Sequence, residues 1–266
     1  MRRSCLTLAF ALALLPAKGL AQNQSTALAR DCDRLAASPH DKSRPPGISG
    51  VELFVVDVDA ARPVCQRALD ADPENPRLLF EMGRVLQIEK DYDKARFAYE
   101  RAISLGYSLA EMNLSEFYEN GLGGLAKNDG QAVRAYQHFA DQGLVVGQYD
   151  LGRMYQEGRG GLPRDELEAE RLYRAAAEKG YAPAQSALGT FYETGGGGLQ
   201  KNEEEAVRLY RLAADQSFSS GEINLARMYG AGRGGLVKNE AEASRLYKLA
   251  ADRLKAQPPP SGPTPR

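Results

Sequence analysis

Residues 113–132 read NLSEFYENGLGGLAKNDGQA, and three further stretches repeat the pattern. From Tyr118 the copy is YENGLGGLAKNDGQA, from Tyr155 YQEGRGGLPRDELEA, from Tyr192 YETGGGGLQKNEEEA and from Tyr229 YGAGRGGLVKNEAEA. The first residues of these copies, Tyr118, Tyr155, Tyr192 and Tyr229, lie 37 residues apart without slippage. A fixed period of that size marks a solenoid, in which each unit is a helical hairpin too small to bury its own apolar face and therefore stacks on its neighbours.

Within a unit the first helix carries Leu114, Leu151, Leu188 and Leu225, each beside a small residue, Ser115, Gly152, Gly189 and Ala226. The second helix carries Ala132, Ala169, Ala206 and Ala243, then Tyr136, Tyr173, Tyr210 and Tyr247. The small positions predict close helix crossings, and the tyrosines, first-helix set included, are predicted core. Asn128, Asp165, Asn202 and Asn239 are followed three residues on by Gln131, Glu168, Glu205 and Glu242, which predicts a reciprocal capping box at each second helix. Gly121, Gly158, Gly195 and Gly232 stand where the first helix must end in a left-handed residue. Gly106, Gly143 and Gly180 do the same between units; Ser217 breaks that series and predicts a looser or differently turned third junction.

Working outward, residues 107–143, 144–180, 181–217 and 218–253 are the four units. Residues 75–106 form a shorter hairpin with Leu79, Met82, Gly83, Leu86, Ala95, Tyr99 and Ala102 at helical spacing and a tight turn at Lys90 and Asp91. Residues 22–74 read as a terminal cap made of a helix over 25–37, the loop PHDKSRPPGISG at 39–50 and a second helix over 57–71 that tolerates Pro63 near its start. Residues 51–56 are either a short extended piece or a packed loop. Residues 1–21, with Arg2, Arg3, an apolar run over 6–15 and Gly19 and Ala21, predict a cleaved secretory leader. About ten apolar residues are too few to span a bilayer, so no integral membrane segment is expected after cleavage. The run LKAQPPPSGPTPR at 254–266 predicts a tail without regular structure.

The chain has 266 residues, 43% of them hydrophobic and 26% charged, with 34 basic and 35 acidic side chains. Loss of residues 1–21 would take Arg2, Arg3 and Lys18 with it and leave a more acidic chain, a balance that argues against nucleic acid as partner. Cys5 would leave with the leader. Of the cysteines that stay, Cys32 and Cys65 predict a disulfide in an oxidising compartment, periplasmic or secreted; two separately buried thiols are the alternative.

Little in the chain suggests chemistry. A lysine follows the glycines in GGLAKN, GGLQKN and GGLVKN, but a phosphate loop needs Gly-Lys-Ser/Thr after a strand, and here the loop joins two helices. His40 and His138 are the two histidines, neither with a spaced ligand partner. Glu203, Glu204 and Glu205 sit in a first helical turn, where acids complement the dipole. No metal, cofactor or catalytic residue is expected.

The combined spacing Leu-small-X-X-Tyr, Gly-X-Gly-Gly and Ala-X-X-X-Tyr resembles the Sel-one-like repeats, relatives of the tetratricopeptide repeats that residues 76–106 resemble. The resemblance implies an all-α, right-handed α/α superhelical solenoid acting as an adaptor, with no shared reaction, and places one face of the first helices on the concave side. That face carries columns that differ between copies. They include Met112, Asn113 and Glu116; Tyr149, Asp150 and Arg153; Thr190; and Ile223, Asn224 and Arg227, with Arg84 extending the stripe. Aromatic and arginine side chains among amides and acids suit a protein or peptide segment. The expectation is an exported scaffold that binds such a segment in its groove. The alternative is recognition or hydrolysis of cell-wall or β-lactam material, known in cysteine-rich relatives whose cysteine pair per repeat this chain lacks. An interaction through the convex surface or the tail is a third possibility.

Overall fold

A computed structural model describes residues 17–256 except 52, 54 and 55, with side chains from residue 25 to 255. The rest of the expected leader and residues 257–266 of the expected tail lie outside the described residues. Among the described residues there are twelve helices and no strand: α1 (Ala17–Ala36), α2 (Val58–Ala71), α3 (Pro76–Ile88), α4 (Tyr92–Ser104), α5 (Ala110–Asn120), α6 (Asp129–Asp141), α7 (Val145–Glu157), α8 (Glu166–Glu178), α9 (Ala182–Thr194), α10 (Glu203–Asp215), α11 (Ser219–Ala231) and α12 (Glu240–Ala256). Each packs on the next in sequence, so the chain is an all-α repeat solenoid. None of the described helices is long and apolar enough to cross a membrane.

Glycine ends each first helix as expected. Gly121, Gly158, Gly195 and Gly232 are left-handed, with φ of 66°, 66°, 79° and 64°. The capping boxes form only in half. Asn128, Asp165, Asn202 and Asn239 each accept from the backbone N–H three residues on, at 3.0 Å. Their own N–H groups do not turn to the glutamate side chains. They donate instead to the carbonyls of Tyr118, Tyr155, Tyr192 and Tyr229, at 2.6, 2.9, 2.8 and 2.9 Å. The first helix thus has an orphan carbonyl and the second an orphan donor, and the loop brings one to the other. Freed from capping, Glu168, Glu205 and Glu242 pair with Arg171, Arg208 and Arg245.

The core is the tyrosine column. Tyr99, Tyr136, Tyr173 and Tyr210 are 0–1% exposed. Their rings lie over the small residues of the paired helix: a Cβ on Gly152 would stand 2.9 Å from Tyr173 Cε1, and one on Gly189 2.7 Å from Tyr210 Cε1. Tyr247 is 44% exposed because no described helix follows α12 to cover it. The first-helix tyrosines are half-buried against the same clusters rather than fully enclosed.

Three further expectations are corrected. The turn at Ser217 is the same as at the glycine junctions: Ser217 N–H donates to Ala214 at 2.8 Å, as Gly143 does to Ala140 at 2.8 Å, and Ser217 takes φ 65° to do so. A side chain in that region costs about 1 kcal/mol, so Ser217→Gly is expected to stabilise by about that much and raise the melting temperature by about 2–4 °C. An unchanged thermal transition would contradict this. Second, α12 continues past Arg253 to Ala256. Third, Pro63 lies beyond the first turn of α2, which begins at Val58 after the capping Asp57, and the helix runs on through it to Ala71.

The cap is built around a bridge. Cys32 and Cys65 form a disulfide, both fully buried, joining α1 to α2. Glu81 of α3 is equally buried, with Oε2 3.0 Å from Cys32 Sγ. Burial, then its hydrogen bond to Asp33, pushes its carboxyl well above the usual carboxylate range. Among the described residues Cys32, Cys65 and Glu81 are also the one group of three His, Cys, Asp or Glu ligand atoms gathered within 4.8 Å, and the bridge occupies both sulfurs. The cap's loop is fastened by Arg84, whose guanidinium donates to the carbonyls of Ala36 and Val51. The part of residues 51–56 that is described is loop with a short 3-10 turn at Leu53.

Candidate functional site: the concave groove

The helices wind far enough for the cap to meet the third repeat. The ring of His40, in the cap's loop, lies 6.0 Å from that of Tyr181, which precedes α9, in an edge contact. A groove of about 1290 Å³ is lined by residues of the cap, α3, α5 and α7 together with Tyr181, Ser220, Arg253 and Leu254.

Its floor is a polar network. Glu116 accepts from Gln87 Nε2 at 2.6 Å, and Gln87 Oε1 accepts from Tyr99 at 2.7 Å and from Asn113 at 3.3 Å. Glu119, 2% exposed, accepts from Arg153 at 2.6 and 2.5 Å, from Arg159 at 2.8 Å and from Tyr136 at 3.1 Å. Asp150 lies 3.6 Å from the same Arg153. Glu119 thus engages two guanidinium groups, Asp150 pairs with Arg153 alone, and Glu116 feels the Arg153 charge while bonding to Gln87.

Their protonation differs accordingly. Burial opposes the charge of Glu119, but its bonds to Arg153 outweigh this and hold it below the usual carboxylate range. Burial raises Glu116, eased by Gln87 and worsened by Glu119. Asp150 is pushed up to about 7, first by burial and then by the charges of Glu116 and Glu119, against the opposing pull of Arg153.

The sequence-predicted stripe divides. Arg84, Met112, Asn113, Glu116, Asp150 and Arg153 line the groove, although Arg84 is spent on the cap's carbonyls and Met112 is only 5% exposed. Tyr149, Thr190, Ile223, Asn224 and Arg227 do not line it. Tyr149 packs on Tyr173 and Tyr181, with ring centroids at 5.6 and 5.7 Å. Thr190 donates to the Ser186 carbonyl at 3.2 Å and Asn224 to Ser186 Oγ at 3.3 Å. Arg227 donates to Glu193 at 2.6 Å, and Ile223 stands exposed on α11.

Glu119, Gln87, His40 and Tyr181 were absent from the predicted set. For Glu119 a signal existed: Glu119, Arg153 and Arg159 recur together two units later as Glu193, Arg227 and Arg233, and are replaced together in the unit between by Gln156, Thr190 and Gly196. Residues that appear and vanish as a set are contacting residues. His40 and Tyr181 carry no periodic signal, since their meeting depends on how far the helix stack winds.

Comparison with known proteins supplies the lineage. Four tandem Sel1 repeats match residues 108–144, 145–181, 182–218 and 219–253, more than half of the chain, and a tetratricopeptide repeat matches 64–97. Among solved structures, a Sel1 repeat protein from Oxalobacter formigenes is similar over 87% of this chain and 93% of its own, with a TM-score of 0.60 at 22% identity. A protective antigen of uropathogenic Escherichia coli with an SLR fold, c5321, gives a TM-score of 0.53 at 24% identity over 88% of this chain, which spans 48% of that one. The Pseudomonas aeruginosa protein 5086 gives 0.53 at 18% identity, over 91% of this chain and 90% of its own. At these identities the likeness is one of fold. No curated protein matches.

Proposed function

This chain belongs to the Sel1 repeat family, and on that premise we propose that it is an exported, non-catalytic scaffold that holds an extended protein segment in its concave groove. Sel1 repeats generally serve as protein-interaction scaffolds, and the observation that carries the reading here is the groove itself. It is large, continuous from cap to α12, and acid-rich at its floor. Arg153 and Arg159 are both engaged by Glu119, so Glu116 and Asp150 have no guanidinium to themselves; their charge is one that burial makes costly, and a basic side chain from a partner would relieve it. Residues 1–21 and the bridge between Cys32 and Cys65 support export to an oxidising compartment, periplasmic or extracellular, with a role in the cell envelope.

An array of ten-residue peptides varying in Lys, Arg and Glu content tests the reading. Basic peptides are expected to bind best, and Glu116→Gln with Asp150→Asn is expected to weaken them about tenfold or more, the loss of charge-assisted contacts. Equal retention of acidic and basic peptides, or no effect of the double substitution, would defeat it. Thermal stabilisation by a β-lactam or a muropeptide with none by peptides would favour the cell-wall alternative.

A further inference from the structure

The four repeats are not joined alike. Between the first and second, Arg153 and Arg159 reach back to Glu119, and Arg159 also donates to Asp129 at 3.0 and 2.9 Å. Between the third and fourth the same clamp recurs: Arg227 donates to Glu193 at 2.6 Å, and Arg233 donates to Glu193 at 3.1 Å and to Glu203 at 2.6 Å. Paired guanidinium and carboxylate forks fix distance and orientation together.

At the middle junction the corresponding positions are Gln156, Thr190 and Gly196. Gln156 turns inward to accept from Tyr173 at 2.8 Å. Among the described residues no ion pair links the second repeat to the third. Single hydrogen bonds cross it, from Arg174 to the Tyr192 hydroxyl at 3.1 Å and from Gln185 to the Ala177 carbonyl at 3.4 Å, and rings fill the rest of the space: Tyr149 on Tyr173, Tyr173 on Phe191 at 5.7 Å and Tyr149 on Tyr181. Apolar contact is non-directional, so packed rings can shift by small steps where a fork cannot. The cap closes onto the solenoid at this same junction, through His40 and Tyr181.

We propose that the groove opens and closes at the junction between the second and third repeats, the clamped pairs moving as two bodies about the aromatic stack, with the His40 and Tyr181 contact as the latch. The motion would admit the segment assigned to the groove above; the proposal rests on that reading for its purpose alone, since the test needs no partner.

Lys127, Arg164, Lys201 and Lys238 occupy one repeat position, each mostly exposed. In a Cys5→Ser background with the native bridge intact, spin labels at 127 with 164, 164 with 201, and 201 with 238 report the three junctions in equivalent geometry. Electron–electron double resonance on the unliganded protein is expected to give a distance distribution about twice as broad for the middle pair as for the outer two. Gln156→Glu, Thr190→Arg and Gly196→Arg together transplant the clamp, the fourth partner Glu166 being already in place, and are expected to narrow the middle distribution to the width of the others. Labels at Asp59 of α2 and Ser220 of α11, which line the groove from the two bodies, should narrow with it. Three equal widths in the unsubstituted protein would overturn the proposal whether or not the transplanted clamp folds, and so would a well-folded clamp variant with an unchanged middle width. Failure of peptides to bind would leave these distances as they are.

Discussion

Replacing Cys32 and Cys65 together by alanine is expected to destabilise the cap by about 3–4 kcal/mol, the chain-entropy value for a closed loop of this length. The sequence separation is 33 residues and both side chains are fully buried, so alanine leaves no exposed thiol and no unsatisfied hydroxyl. A solenoid is held by nearest-neighbour contacts, and the effect should be graded along it. Amide exchange is expected to accelerate in α1, α2 and the loop carrying His40, and to stay unchanged in α10 to α12. Treatment of the unsubstituted protein with a dithiol reductant should reproduce the pattern. Uniform acceleration along the whole array, or none in the cap, would show that the bridge is not what secures this end.

The second large effect goes the other way. Asp150→Asn is expected to stabilise the protein by about 2 kcal/mol at pH 8, within the range set by a carboxyl pushed up to about 7 from an unfolded value near 4. The sign follows from proton linkage. Between about pH 4 and 7 the folded protein keeps a proton that the unfolded chain has released, so stability falls as pH rises, and above 7 the full penalty is present. Asparagine cannot pay it. The groups facing Asp150 are Arg153 and Tyr149 on its own helix, Glu116 and Glu119 on α5, Tyr136 on α6 and Tyr173 on α8. Glu119 behaves oppositely: held low by Arg153, it contributes stability above the unfolded value near 4.3 that is lost on acidification. Denaturant titrations of Asp150→Asn at pH 4 and pH 8 should therefore differ, with no gain at the lower pH. A variant that is more stable yet binds basic peptides less well would identify a residue kept for recognition at a cost in stability.

Much of this architecture was open to a reader of the sequence. The period located the four repeat hairpins, the glycines located the ends of their first helices, and Tyr136, Tyr173 and Tyr210 located their core, because each of these is decided within a unit or between adjacent ones. Reading failed where the decision is made elsewhere. The capping glutamates match their motif, but the carbonyls of Tyr118 and its counterparts compete for the same donors and win. Ser217 departs from glycine, yet the repeat geometry around it holds the same turn at the expense of local strain. Arg84 and Arg227 sit in register with Arg153, but Arg84 is drawn to the cap's carbonyls, and Arg227, clamped to Glu193 as Arg153 is to Glu119, does not line the groove, so a column on a helix face is divided by what surrounds each copy. The meeting of His40 with Tyr181 lies beyond any local rule.

The bond from each second helix back to a tyrosine carbonyl also constrains how such a chain can change in length. Tyr118 to Asn128, Tyr155 to Asp165, Tyr192 to Asn202 and Tyr229 to Asn239 are the same distance apart in sequence, and one residue more or less in the loop would strand a donor and an acceptor together. The interior of the array can therefore lengthen or shorten only by whole units. The unrepeated loop of the cap at 39–50 is closed in the same manner, Val51 N–H donating to the Ala37 carbonyl at 2.7 Å, so both kinds of loop are held by a bond between their ends.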